Sequence, residues 1–251
     1  MYKKIYTLLV LWVSVVVGTH AQEYHGTTGL LQVPSAETDS AGTFRGNMMF
    51  LSKEFTPNQM AFNKEKYNTF NYGVGLTVWD WVEISYCASL LKMYKNHDKT
   101  STPGYYNEDR RVNVKFRPLK EGRWWPAIAV GMDDIGRFQK FTTGKAIGNN
   151  YYQNIYIAGS KHFNIHGYEL GAHLAYRYYS AEINAEHRGV VGGVTLRPAF
   201  YRPLRFIAEW DGVGVNVGAD VLLWRHLFIQ ACLVHGRGFT GGLSYHYTIP
   251  Y

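Results

Sequence analysis

The chain is predicted to be all-β, an antiparallel transmembrane β-barrel of about twelve strands. Three observations carry this. Apolar and polar residues alternate with period two along nearly the whole chain, as in Val213 to Val221, where Val213, Val215, Val217, Ala219 and Val221 share one face. The 251 residues include 20 Tyr, 13 Phe, 7 Trp and 26 Gly, yet mean hydropathy is only −0.23. A barrel with one face in lipid and one in its lumen balances in this way, whereas helical membrane proteins are far more apolar. Finally, the connections alternate between short and long, as turns at one rim of a barrel and loops at the other do.

In chain order, Lys3 and Lys4 precede an apolar run from Ile5 to Val17 and a small-residue site ending at Ala21. This is the pattern of a cleaved signal peptide over residues 1–21, and the run is too short for a spanning helix. Residues 22–42, rich in Gly, Ser and Thr, are not a strand; they lie in the periplasm or tuck into the lumen. The barrel itself is expected over residues 43–251. Its strands are expected near 43–52, 67–78, 81–92, 110–118, 125–133, 152–163, 166–177, 188–199, 204–211, 213–223, 226–236 and 238–248. Trp79-Asp80, Asn164-Ile165 and Trp224-Arg225 are among the short turns. Trp79, Trp81, Trp124, Trp125, Tyr201 and Trp224 crowd them as an interfacial aromatic girdle. Alternation alone also fits a soluble barrel, because it does not say which face is inside.

The final strand reads TGGLSYHY from Thr240 to Tyr247. Gly242, Tyr245, Tyr247 and the aromatic Tyr251 resemble the C-terminal signal by which bacterial outer-membrane barrels are recognised for insertion. Outer-membrane lipid and the barrel-assembly machinery are therefore expected partners, and the bacterial outer membrane the expected location.

The face assigned to the lumen is densely polar and carries both signs. Arg45, Glu83, Lys115, Arg117, Glu169, His173, Arg197, Arg205, Glu209 and Asp220 all fall on it. One reading is a network of ion pairs that fills a closed interior; the other is a narrow polar path that passes or holds an acidic glycan. Cys87 and Cys232 point to the same face and read as buried thiols, not a disulfide framework. Loop aromatics, Phe55 and Tyr152 among them, form an outer girdle or a sugar-stacking surface.

No G-x-S-x-G, H-E-x-x-H or phosphate-cradling glycine loop occurs, so no catalytic residue, cofactor or metal ligand is assigned. His187 with Ser180, or His235 with Ser244, are the pairs that position alone offers to an enzyme reading. The net charge of +7 reads as surface charge, and no nucleic-acid motif accompanies it.

Three stretches resemble the YjbH-like exopolysaccharide-biosynthesis family, which includes the capsule-associated GfcD proteins. They are Gly26 to Gly46 (GTTGLLQVPSAETDSAGTFRG), Val112 to Gly136 (VNVKFRPLKEGRWWPAIAVGMDDIG) and Tyr156 to Phe163 (YIAGSKHF). The resemblance implies an outer-membrane barrel serving exopolysaccharide or capsule production or export, with periplasmic export proteins and an acidic polysaccharide as further partners. Members of the family are often longer, with a second barrel, whereas this chain has room for a single one. It implies no enzymatic residues. A closed structural or glycan-binding surface barrel is the alternative.

Overall fold

The computed structural model describes residues 23–135, 151–179 and 187–249; the expected signal peptide, residues 1–21, and Tyr251 lie outside them. Twelve strands among the described residues form one closed antiparallel barrel. They are β1 (Thr43–Leu51), β2 (Thr69–Trp79), β3 (Val82–Met93), β4 (Gly104–Leu119), β5 (Ala127–Asp133), β6 (Asn154–Ile165), β7 (Tyr168–Tyr179), β8 (Gly189–Arg197), β9 (Leu204–Trp210), β10 (Val215–Leu223), β11 (Leu227–Val234) and β12 (Gly238–Thr248). Each strand pairs with its neighbours in sequence. β1 and β12 close the ring, with Thr43 opposite Thr248 and Phe50 opposite Gly241.

The barrel is inverted relative to a soluble protein, which resolves what alternation leaves open. Leu174 is 63% exposed and Met48 58%, while on the opposite face Arg45, Glu83 and Lys115 are fully buried. A continuous outer belt of Phe, Leu, Val, Ile and Tyr is unfavourable in water and favourable in lipid. Trp79, Trp81, Trp124, Trp125 and Trp224 are exposed at the short-turn rim, and Trp79 stacks on Trp81 with ring centroids 5.5 Å apart. That rim, which also holds the ends of β1 and β12, is the periplasmic one in barrels of this kind.

Several strand ends shift by one or two residues from expectation, and two departures have a visible cause. The turn between β6 and β7 is His166-Gly167, not Asn164-Ile165, so β6 ends two residues later than expected, at Ile165. His166 (φ 48°) and Gly167 (φ 85°) both occupy the left-handed region, as the hairpin turn that matches strand twist requires. β4 begins at Gly104, six residues before the expected start. Its polar outer end reads as loop by hydropathy. It stays paired because Tyr105 donates its hydroxyl to the Asn68 carbonyl (2.6 Å) and Arg110 and Tyr72 both bond Glu108.

Every residue from Glu23 to Asp39 is buried. This segment runs inside the barrel, where Tyr24, Leu30, Leu31 and Val33 form an apolar cluster with the inward residues Met49, Tyr156, Val191, Ile207 and Phe228. Leu30 needs Gly193 in the wall: a Cβ there would lie 2.5 Å from a Leu30 methyl. Phe55 and Tyr152 are also buried. They close over Tyr24 at 6.0 and 5.7 Å between ring centroids, so they form neither an outer girdle nor a free sugar platform.

Candidate functional site

The inner segment lacks a regular ladder of its own. Local bonds such as Leu30 N–H to the Val33 carbonyl (2.9 Å) fold it into turns and leave further amides needing partners. A buried amide without a partner costs free energy comparable to a lost hydrogen bond. The wall supplies those partners with charged side chains.

Glu209, on β9, accepts from three consecutive backbone amides: Leu31 (3.0 Å), Gln32 (2.9 Å) and Val33 (3.1 Å). Asn216 on β10 donates to the same carboxylate at 2.9 Å. Glu83, on β3, accepts from the Thr28 amide (3.0 Å) and hydroxyl (2.8 Å) and from the Asp39 amide (3.1 Å). Lys115 on β4 lies 3.2 Å and Arg45 on β1 3.5 Å from Glu83. Arg45 also donates to Asp39 at 3.1 Å, and Lys115 to the Thr28 carbonyl at 2.6 Å. Arg205 is shared between Asp220 of the wall (2.9 Å) and Glu37 of the segment (3.2 Å).

Of the lumen residues read from the sequence, Arg45, Glu83, Lys115, Arg205, Glu209 and Asp220 are thus brought together around the inner segment. His173 is also buried, its ring nitrogens 2.9 Å from Ser160 Oγ and 3.2 Å from Thr195 Oγ1. Arg117, Glu169 and Arg197 stand apart at the short-turn rim. Arg197 pairs with Glu169 at 3.1 Å, and Arg117 donates to the Asp80 carbonyl at 2.7 Å.

On β12, Gly242 lies opposite Met49 and Gln230. Tyr245 and Tyr247 face outward and stack on His226, with centroids 5.6 and 6.1 Å apart. Both cysteines are buried free thiols, and Cys87 donates to the His25 carbonyl at 2.9 Å.

Several participants carry no signal in the sequence. Glu37 and Asp39 sit in a stretch without periodicity, and Arg111 lies in the part of β4 nearest its polar outer end. Arg111 donates to Ser89 (2.8 Å) and Asn71 (2.9 Å), and its guanidinium lies 4.1 Å from the Tyr152 ring centroid. Glu37, His162 and His173, more than a hundred residues apart in two of their spacings, converge near the short-turn rim; Glu23, His25 and Asp133 converge deeper inside.

The His235–Ser244 pair is not assembled. Ser244 pairs with Phe228, whereas His235 follows Val234, the partner of Gly238; six residues of strand, roughly 20 Å, separate the two. His235 instead bonds Asp211 at 2.8 Å. Asp211 lies between β9 and β10. Burial pushes its carboxyl upward, but bonds from the Gly214 amide, Asn216, the Val213 amide and His235 outweigh that and hold it below the usual range. Ser180 lies outside the described residues.

Among solved structures, the chain is similar to the Salmonella typhi outer membrane phospholipase dimer with bound calcium (8% identity, TM-score 0.34, covering 83% of this chain and 91% of that one). It is also similar to outer membrane phospholipase A from Escherichia coli (7%, TM-score 0.32, 83% and 96%). An outer membrane channel from Pseudomonas putida F1 matches at 11% identity and TM-score 0.33, covering 85% and 98%. Likenesses this loose transfer no activity. No curated protein matches. The model of the YjbH family, described as exopolysaccharide biosynthesis protein YbjH, matches residues 21–214. With that match and its inverted barrel, the chain belongs to the YjbH exopolysaccharide-biosynthesis family and is a bacterial outer-membrane β-barrel.

Proposed function

We propose that this protein is a plugged barrel that serves exopolysaccharide production or export, with its own segment Glu23–Asp39 as the plug. The observation that carries the reading is Glu209, whose single carboxylate takes three successive plug amides. A wall built only to be filled pairs its own charges. Here Glu83, Arg205 and Glu209, although also paired within the wall, each bond a segment that is continuous with β1 and enters from the short-turn rim. Passage of an acidic polysaccharide would require the plug to leave, exposing Arg45, Lys115 and Arg205 along the lumen, with Arg177 of β7, which now donates to the Gln32 carbonyl at 3.1 Å. The protein then acts as a conduit and not as an enzyme, in keeping with the separation of His235 from Ser244.

Its partners on this reading are outer-membrane lipid along the apolar belt, the assembly machinery at β12, and periplasmic export proteins at the rim from which the plug enters. The test is the amount of polysaccharide released by cells lacking the protein, and by the same cells with it restored. Equal release with and without the protein refutes the reading. A closed structural barrel is the second reading, favoured by the Arg205–Asp220 pair, which is satisfied within the wall. It requires that variants loosening the plug never conduct in a planar bilayer.

A further inference from the structure

We propose that Glu37, His162 and His173 form a binding site for one divalent transition-metal ion, zinc by its donor set, which fastens the inner segment to the wall. The site stands on its own geometry, whatever the protein does for polysaccharide. Glu37 belongs to the inner segment, His162 to β6 and His173 to β7. Their donor atoms all lie within 4.8 Å of one another, and His162 Nε2 is 3.1 Å from Glu37 Oε1. Tetrahedral zinc with bonds of about 2.0–2.1 Å separates its donors by roughly 3.4 Å, so side-chain torsions need close at most about 1.4 Å.

Three features go beyond mere proximity. First, each imidazole has its far nitrogen engaged. His162 Nδ1 is 2.7 Å from Glu121, which also accepts from the His162 amide at 2.9 Å, and His173 Nδ1 is 2.9 Å from Ser160 Oγ. Such partners orient metal-binding histidines and fix which nitrogen is left for the ion. Second, the rings meet edge to face, 5.4 Å between centroids, and the space between them is kept open by Gly171. A Cβ at Gly171 would lie 2.7 Å from His173 Nε2 and 3.1 Å from His162 Cδ2, and would collide with Thr195 Oγ1. Third, two imidazoles and one carboxylate suit zinc, cobalt or nickel, and offer too few oxygens for calcium or magnesium. A simple Glu121–His162–Glu37 ion-pair chain accounts for His162 but needs neither His173 at the same point nor a glycine at 171. The ion would replace the proton shared by His162 and Glu37, with a fourth position left toward Thr195.

The test is cobalt(II) titration of the purified, tag-free, chelator-stripped protein in detergent, read by visible absorption. One equivalent with the intense bands of tetrahedral cobalt, displaced by zinc, is expected. His162→Gln, His173→Gln and Glu37→Gln should each weaken binding at least 100-fold, and Glu121→Gln about 10–100-fold, the range for an orienting partner. Gly171→Ala removes no donor and should also weaken binding, while His25→Asn should leave it unchanged. Heat-modifiable migration on gels identifies the variants that are folded. Absence of one-to-one binding to the wild-type protein overturns the proposal without reference to any variant. So does full affinity in folded His173→Gln, or loss in His25→Asn alone, which would put the ion at the deeper cluster.

Discussion

Replacing Glu209 with alanine should free the inner segment while leaving the barrel intact. Three backbone amides and the Asn216 amide converge on this buried carboxylate. Hydrogen bonds to a charged acceptor contribute about 1.5–3 kcal/mol each, and a buried donor left without a partner costs about 1–3 kcal/mol. Summed without correction, the three segment amides would contribute about 4.5–9 kcal/mol, but water enters the vacated space and recovers part of the loss. A net weakening of about 3 kcal/mol is a conservative figure. At 1.4 kcal/mol per tenfold, it raises the unseated population roughly 100-fold. Single-channel recording in a planar bilayer reads this directly: wild-type protein should be nearly silent, and Glu209→Ala should open in discrete steps with a far larger open fraction. Glu209→Gln keeps one carbonyl acceptor and should fall between them. A folded Glu209→Ala barrel as silent as wild type would refute the argument that this carboxylate seats the segment.

Other outcomes follow from the same geometry. Arg205→Ala leaves Glu37 and Asp220 buried without their shared cation and should cost about 3–5 kcal/mol, the usual penalty for breaking a buried pair; an unchanged urea midpoint would contradict it. Leu174→Arg, on the lipid face, should cost about 2–4 kcal/mol of folding into vesicles if it sits near the bilayer midplane. A neutral result would contradict the inverted barrel. Asp211 has a folded pKa depressed below 3.8. Its contribution is therefore complete above that value and disappears as pH falls through the folded pKa. The stability gap between wild type and Asp211→Asn should be flat at neutral pH and shrink in acid; a gap that widens on acidification would show the sign to be wrong.

The barrel was legible because a strand in a bilayer must repeat its choice of face every second residue, so Val82 to Leu90 and Val213 to Val221 announce themselves. Boundaries were less so. The Gly104 end of β4 is held by cross-strand bonds of Tyr105 and Arg110 outside the apolar belt, where alternation has no physical cause. Arg205 and Asp220 could be placed on the same face from the sequence, and the register that sets them opposite one another comes from the structure. What Glu83 and Glu209 bind was not, because their partners are backbone amides, which every residue possesses and no sequence marks. Glu37 and His162 are 125 positions apart, and only ring closure brings them together.

The inner segment joins β1 through just Ser40, Ala41 and Gly42. Once expelled, it cannot diffuse away; a tether this short keeps it at millimolar effective concentration beside its own seat. Reclosure is therefore unimolecular and needs no signal, whereas a lasting open state needs something at the short-turn rim to hold the segment. On the plugged-barrel reading, control over the time spent open would belong to whatever grips that strap, and the wall would set only how hard it must pull.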